Sequence, residues 1–337
     1  MTNNKRDLTF DIAKFIAILM VIFWHLTYYG GLSAGKSWVV NIIIGFNMPL
    51  FFLIAGYFSR KIHTSYDIKK MFSRLLGYGW PILIFSLIDV VVAIVLYKKS
   101  GQLVSFWLRD LFFCFWFFFC LAMCDLFTFL IFYFVRRSYL LRILLLLGVF
   151  FIVWLIPYGL YSFISMVPFY WTGLLAFPRL YDAIKEKTWL CGIVGIFALS
   201  IYLLISFYEG DIKTNGMGFY WYKMSLLEFN VYGFFLMLSR YVMGIIGSLG
   251  LICLIRFLVV RVVYLSILSP FGQTTLGVYF VQRYIESNAV GCYLAQHYTY
   301  SLLGRVGIAI IVFLVCHAIV IGMNRNAYVR RLVWLKK

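Results

Sequence analysis

The sequence predicts an all-α, polytopic integral membrane bundle of about ten transmembrane helices, with 1–337 forming a single membrane domain. Three observations carry that expectation. Hydrophobic residues make up 64% of the chain and charged residues only 12%, well below the charged share of an ordinary soluble domain. Apolar runs near the roughly 20-residue length that crosses a bilayer recur from end to end. The alternating pattern of a membrane barrel is missing, and backbone groups in lipid must be satisfied within their own segment, so the runs are read as helices.

Spans are expected at about 11–29, 38–58, 79–97, 111–135, 142–160, 162–178, 189–208, 231–255, 264–286 and 303–323. The first follows Lys5 and Arg6 as a signal peptide would, but it contains Lys14 and further spans follow, so it reads as a retained anchor helix. The second contains Pro49, which frees a backbone carbonyl and is expected to kink the helix near Asn47. The sixth is the weakest, because Pro168 and Pro178 interrupt it. Cations alternate between the spans. Lys5 and Arg6, then Arg60, Lys61, Lys69, Lys70 and Arg74, then Arg136, Arg137 and Arg142 all fall on one side. Arg179, Lys185 and Lys187, then Arg256 and Arg261, then Arg325, Arg330, Arg331, Lys336 and Lys337 continue it. The positive-inside rule makes that side cytoplasmic, both termini included. Only Lys98, Lys99 and Arg109 break the pattern, and the largest opposite loop is at about 208–227. No internal repeat of the transporter kind is evident.

The 30 Lys and Arg against 12 Asp and Glu would suit nucleic acid, but these cations are scattered between apolar runs, and nucleic-acid binding is rejected. Seven cysteines lie mostly inside apolar runs with no metal-type spacing, so they read as packing residues; neither a metal site nor a disulfide framework follows. Gly30–Ser37 matches the phosphate-loop pattern letter for letter. A working phosphate loop follows a strand, whereas this one follows a membrane helix and falls on the outer face, so the match is read as chance.

The first span carries the chemistry. A helix advances about 100° per residue, so the step from Lys14 to His25 returns the side chain to within roughly 20° of one face, with an axial separation of roughly 16 Å. Asp7 and Asp11 share that stripe. Ionisable groups inside a span are costly and are functional candidates by default. A lone histidine in an apolar run is ordinarily a hydrogen-bonded core residue; the shared stripe moves His25 toward catalysis. His63 in a basic loop, His297 in an outer loop and His317 beside Cys316 read as structural. Asp89 and Asp125 are expected to face the bundle interior, either paired with a cation or accepting helix-end hydrogen bonds. The basic loop holding Lys69, Lys70 and Arg74 suits anionic groups such as phosphates, and lipid headgroups equally.

Arg6, Asp11, Lys14 and His25 stand at the spacing of the first-helix signature of the acyltransferase 3 family, and Met48–Lys61, MPLFFLIAGYFSRK, resembles that family's second-span segment. Phe115-Trp116-Phe117, the basic pair Lys70 and Arg74, and Gly272–Tyr279 resemble further landmarks, so the likeness extends over residues 6 to 282. The subgroup it looks most like is the fucose 4-O-acetylase-like one, with lysine in place of the first-helix arginine. Three positions depart from the pattern: Asn47 and Gln282 stand where histidine is common, and Ala55 replaces a serine. The resemblance implies an O-acyltransferase of the plasma or inner membrane. It would move acetyl from acetyl-CoA, a substrate rather than a bound cofactor, onto a hydroxyl of a surface glycan, polysaccharide repeat unit or glycolipid. His25 would be the catalytic base, with an acyl-histidine intermediate as the other route. Lys14, Lys70, Arg74 and Arg6 would hold the acyl-CoA, and Asp11 would orient them by pairing with Lys14 or Arg6. Asn47, Trp116 and Tyr279 are the acceptor-pocket candidates. Expected partners are acyl-CoA, the glycan or glycolipid acceptor and membrane lipids, with a homo-oligomer left open. The rival reading is a flippase or exporter of a polysaccharide or its lipid-linked precursor. A translocation path should show polar positions along several spans, and the midplane is sparse apart from His25, Asp89, Asp125 and Arg240.

The charge pattern gives a direct test. Reporter fusions after Lys36 and after Lys213 should appear outside, and those after Lys70 and Lys187 inside. If 162–178 does not cross, fusions beyond it will report the inverted side.

Overall fold

The computed structural model describes residues 6–29, 38–97, 115–155, 161–208, 231–285 and 301–335. The Gly30–Ser37 pattern, Lys98, Lys99, Arg109, His297 and the loop at 208–227 lie outside them, apart from Tyr208. The described residues form helices and turns, with no strand among them. In chain order these are α1 (Leu8–Tyr29), α2 (Trp38–Ser65), α3 (Ile68–Tyr97), α4 (Trp116–Phe134), α5 (Tyr139–Leu155) and α6 (Tyr161–Trp171). A π-helical turn, Thr172–Ala176, leads to α7 (Phe177–Ile184), followed by α8 (Thr188–Tyr208) and α9 (Val231–Arg261). A 3₁₀ turn, Val263–Leu268, leads to α10 (Ser269–Gln273), α11 (Thr275–Tyr284), α12 (Leu302–Arg325) and α13 (Ala327–Trp334).

The all-α membrane class is what the sequence predicted. Among the described residues, 7 helices are long and apolar enough to cross a membrane: α1, α2, α3, α4, α8, α9 and α12. The other three expected spans fall on the shorter α5 and on two interrupted segments. The π turn separates α6, which runs on past Pro168, from α7, and Thr274 separates α10 from α11.

The polar ends of α2 and α3 differ from expectation. The basic segment is not a loop: Lys69, Lys70 and Arg74 lie in the first turns of α3, and His63 lies inside α2. Only Tyr66 and Asp67 separate the two helices, with Tyr66 in the left-handed region at φ 54. The Asp67 carboxylate accepts the Lys70 backbone N–H at 3.1 Å, an N-cap bond that lets α3 start early. That amide and the Lys70 ammonium hold the Asp67 carboxyl below its ordinary value. Pro49 does not break α2, which runs from Trp38 to Ser65.

Helix α1 is the centre of the bundle, packing against α2, α9, α10, α11 and α12. Of its spanning window 56% is buried, against 22% for α8, which turns Ile193, Phe197, Leu204 and Phe207 outward. Aromatic packing fills the space beside it: Phe280 of α11 stacks on Phe85 of α3 at 4.7 Å and on Phe118 of α4 at 4.7 Å.

Where backbones touch, crossings depend on glycine. A Cβ on Gly56 of α2 would lie 2.0 Å from the Tyr170 carbonyl oxygen, and one on Gly173 would lie 2.0 Å from that of Leu53. A Cβ on Gly272 of α10 would lie 1.8 Å from the carbonyl oxygen of Asp11. Helices in lipid gain little from the hydrophobic effect against each other and associate through such close backbone contact. Gly56→Ala should therefore separate α2 from α6 and cost about 1–3 kcal/mol or more. Gly77→Ala on α3, whose added methyl meets open space, should be tolerated. Thermal unfolding of the two purified variants checks this, and equal melting temperatures would refute it.

Candidate active site

At the N-terminal end of α1 the Asp11 carboxylate, 2% exposed, gathers three donors. Arg6 Nε reaches Oδ2 at 2.6 Å and Arg6 Nη2 reaches Oδ1 at 2.9 Å, a bidentate fork. Lys14 Nζ lies 2.9 Å from Oδ1, one turn along the same helix. Ser269 Oγ of α10 donates to Oδ2 at 3.2 Å, brought there by the Gly272 contact. One carboxylate between two cations leaves one positive charge uncompensated. Asp11 raises the pKa of Arg6, which stands outside the span, by accepting its hydrogen bonds.

Lys14 also lines a cavity of about 300 Å³ that lies among α1, α2, α3, α4, α10 and α11. Ile18 continues its α1 wall; Phe51, Ile54, Ala55 and Phe58 line it from α2, and Arg74 and Tyr78 from α3. Phe117, Phe118 and Leu121 of α4, with Gln273, Thr275, Leu276 and Tyr279, complete it. Phe58 is 51% exposed, so this end is open. The inner walls are mostly aromatic and aliphatic.

Arg74, the second cation lining the cavity, is held by a second carboxylate. Its Nε donates to Asp125 Oδ2 at 2.7 Å. Tyr78 OH donates to the same oxygen at 3.0 Å, and Tyr170 OH donates to Oδ1. His63 Nε2 lies 2.8 Å from the Tyr170 oxygen and 3.4 Å from Asp125 Oδ1. Ser59 Oγ is 2.7 Å from the Tyr170 hydroxyl. His63, Ser59, Asp125 and Tyr170 are all fully buried.

Of the residues expected at the site, Lys14, Arg74 and Tyr279 line the one cavity, and Arg6 and Asp11 form the ion cluster beside it. Lys70 is not among its lining residues: its side chain is 66% exposed and pairs with Asp67 at 3.1 Å. His25, Asn47 and Trp116 do not line the cavity either. His25 and Asn47 nevertheless continue a wall. Ile18 to His25 is seven residues, so His25 lies on the same face roughly 10 Å further along α1. Asn47 lies one turn beyond Phe51 on the α2 stripe, whereas Trp116, the first residue of α4, stands about 100° round the helix from Phe117. Asn47 is buried, and its Oδ1 accepts the Met48 N–H at 2.7 Å. Among the described residues His25 has no hydrogen-bond or ion-pair partner. His317 lies on α12 with Nδ1 2.7 Å from Thr274 Oγ1.

The sequence did not mark Tyr170 or Tyr78, or His63 as more than a structural residue; Phe58, Gln273 and Leu276 fall within recognised segments, with nothing there to mark them as cavity residues. A faint signal existed in the four-residue steps from Ser59 to His63 and from Arg74 to Tyr78, which put each pair on one helix face.

The site is thus an apolar cavity inside a multi-helix membrane bundle, with two carboxylate-held cations among its lining residues. The chain matches the acyltransferase 3 family, described as an acyltransferase domain, over residues 7–323, and it belongs to that family. It is a membrane acyltransferase. No curated protein and no solved structure matches it.

Proposed function

We propose that this acyltransferase takes acetyl from acetyl-CoA and places it on a hydroxyl of a surface glycan, polysaccharide repeat unit or glycolipid in the plasma or inner membrane. The observation that carries the reading is the cavity, with Lys14 and Arg74 among its lining residues and the Lys14–Ile18 wall continuing toward His25. Arg74 meets Asp125 through Nε and lies 5.7 Å from the centre of the Tyr78 ring, so its terminal nitrogens, on the side away from Asp125, are available to a phosphate. Lys14 adds a point charge. The apolar walls beyond suit the uncharged pantetheine arm, and the roughly 16 Å from Lys14 to His25 is a distance that an extended thioester arm spans.

At the far end His25 acts as general base. Its unprotonated ring nitrogen takes the proton of the acceptor hydroxyl while the hydroxyl oxygen attacks the thioester carbonyl carbon. The new C–O bond forms, the C–S bond breaks, and the sulfur leaves as the CoA thiolate, which takes up the proton. Asn47 and Trp116 would orient the acceptor, together with Tyr279 of the cavity wall.

In purified protein, Lys14→Ala should raise the KM for acetyl-CoA about tenfold while Lys14→Arg keeps part of the wild-type value, since phosphate binding requires a cation. An unchanged KM in Lys14→Ala would remove Lys14 from the donor site. His25→Gln keeps a hydrogen-bonding side chain of similar reach but cannot act as a base. It should lose about 10²–10⁴-fold in kcat with donor binding retained. Substantial turnover in a correctly inserted His25→Gln protein would make His25 a packing residue.

A further inference from the structure

We propose that Asp125, with Tyr170, Tyr78 and His63, is the positioning unit for Arg74, holding its guanidinium in the cavity as the clamp for the phosphates of the donor. The role rests on the acyl-CoA reading above. Arg74 lies six residues into α3, roughly 9 Å from its start. A long cationic side chain that close to a helix end is drawn back toward water, where it is best solvated. Asp125 opposes that pull: its carboxylate grips Nε at 2.7 Å and the Arg74 side chain is only 18% exposed. The grip is selective in a useful way. It occupies Nε, while Tyr78 flanks the guanidinium with its ring 5.7 Å away, so that the terminal nitrogens, the pair that meets a phosphate bidentately, are turned from Asp125.

Asp125 itself is fixed from three other helices. Tyr78 of α3 donates at 3.0 Å, Tyr170 of α6 donates to Oδ1, and His63 of α2 stands 2.8 Å from the Tyr170 oxygen. Tyr170 is held in turn by the Gly56 contact, where its carbonyl presses on α2. A carboxylate whose acceptor sites are filled by donors from separate helices has little freedom to follow Arg74 outward. None of these groups except Arg74 and Tyr78 lines the cavity, so the others act on the donor only through Arg74.

The test measures binding of CoA itself by calorimetry, together with KM and kcat for acetyl-CoA. Asp125→Asn should raise the CoA Kd and the donor KM about tenfold, and Tyr170→Phe about threefold, with kcat at saturating donor held within about threefold. Tyr170→Phe keeps the ring packing and serves where Asp125→Asn folds poorly. In an Arg74→Gln background, adding Tyr170→Phe should change the Kd no further, because both act through one guanidinium. Two outcomes overturn the role: an unchanged Kd in Tyr170→Phe with only the melting temperature lowered, or additive losses in the double variant. A wild-type protein that transfers acyl groups but does not bind CoA would instead overturn the donor reading and this role together.

Discussion

An ionised carboxylate inside a membrane bundle costs several kcal/mol unless cations and hydrogen-bond donors surround it, and two such carboxylates organise this molecule. Asp11 collects Arg6, Lys14 and Ser269 and so ties α1 to α10. Asp125 collects Arg74, Tyr78 and Tyr170 and so ties α4 to α3 and α6. The cavity lies between the two clusters, and each supplies one of the cations that line it. A third buried carboxylate, Asp89, pairs with Arg283 at 2.8 Å and joins α3 to α11 without lining the cavity. Charge burial thus does two jobs here: it staples helices in all three places, and in two of them it also sets where a cation stands.

These carboxylates find their partners only because backbones come unusually close. Ser269 reaches Asp11 because Gly272, one turn later, lets α10 rest on the Asp11 carbonyl. Tyr170 reaches Asp125 and Ser59 because Gly56 and Gly173 bring α2 against α6 and the π turn. Interruptions in the helices serve the same end. The break at Thr274 lets Ser269 and Gly272 dock on α1 while Gln273, Thr275, Leu276 and Tyr279 face the cavity. The π turn that follows Tyr170 fits the tendency of such turns to fall at functional sites.

The α1 stripe, the basic pair on α3 and the Gly272–Tyr279 segment were legible in the sequence because each is a local pattern: a helical period, a charge cluster, a short motif. The Asp125 network was not, since Arg74 and Asp125 are 51 positions apart and Tyr170 and Asp125 are 45. Periodicity gives the face on which a residue stands but not the helix opposite it. It could say that Asp125 needed a cation and could not choose among those available. The polar helix ends were misjudged for a related reason. Apolar windows stop at Phe58 and resume near Gly79, yet α2 and α3 extend through the charged turns between, because Asp67 caps α3 and His63 has its partners inside the bundle.

The contrast between the paired carboxylates and His25 bears on how the proposed reaction is laid out along α1. Each described span carboxylate is paired with a cation of the protein: Asp11 with Arg6 and Lys14, Asp125 with Arg74, and Asp89 with Arg283. The groups that can meet a ligand are the Arg74 guanidinium on its side away from Asp125, His25, and the amide nitrogen of Asn47, whose oxygen is used by Met48. They lie in order of depth, cation, then apolar wall, then imidazole and amide, which matches a donor that is anionic at one end, uncharged along its arm and reactive at its tip. With asparagine at position 47 and glutamine at 282, neither side chain can move a proton at neutral pH. Asn47 can only donate or accept a hydrogen bond, so in the proposed transfer it orients the reacting groups while proton removal falls to His25 alone.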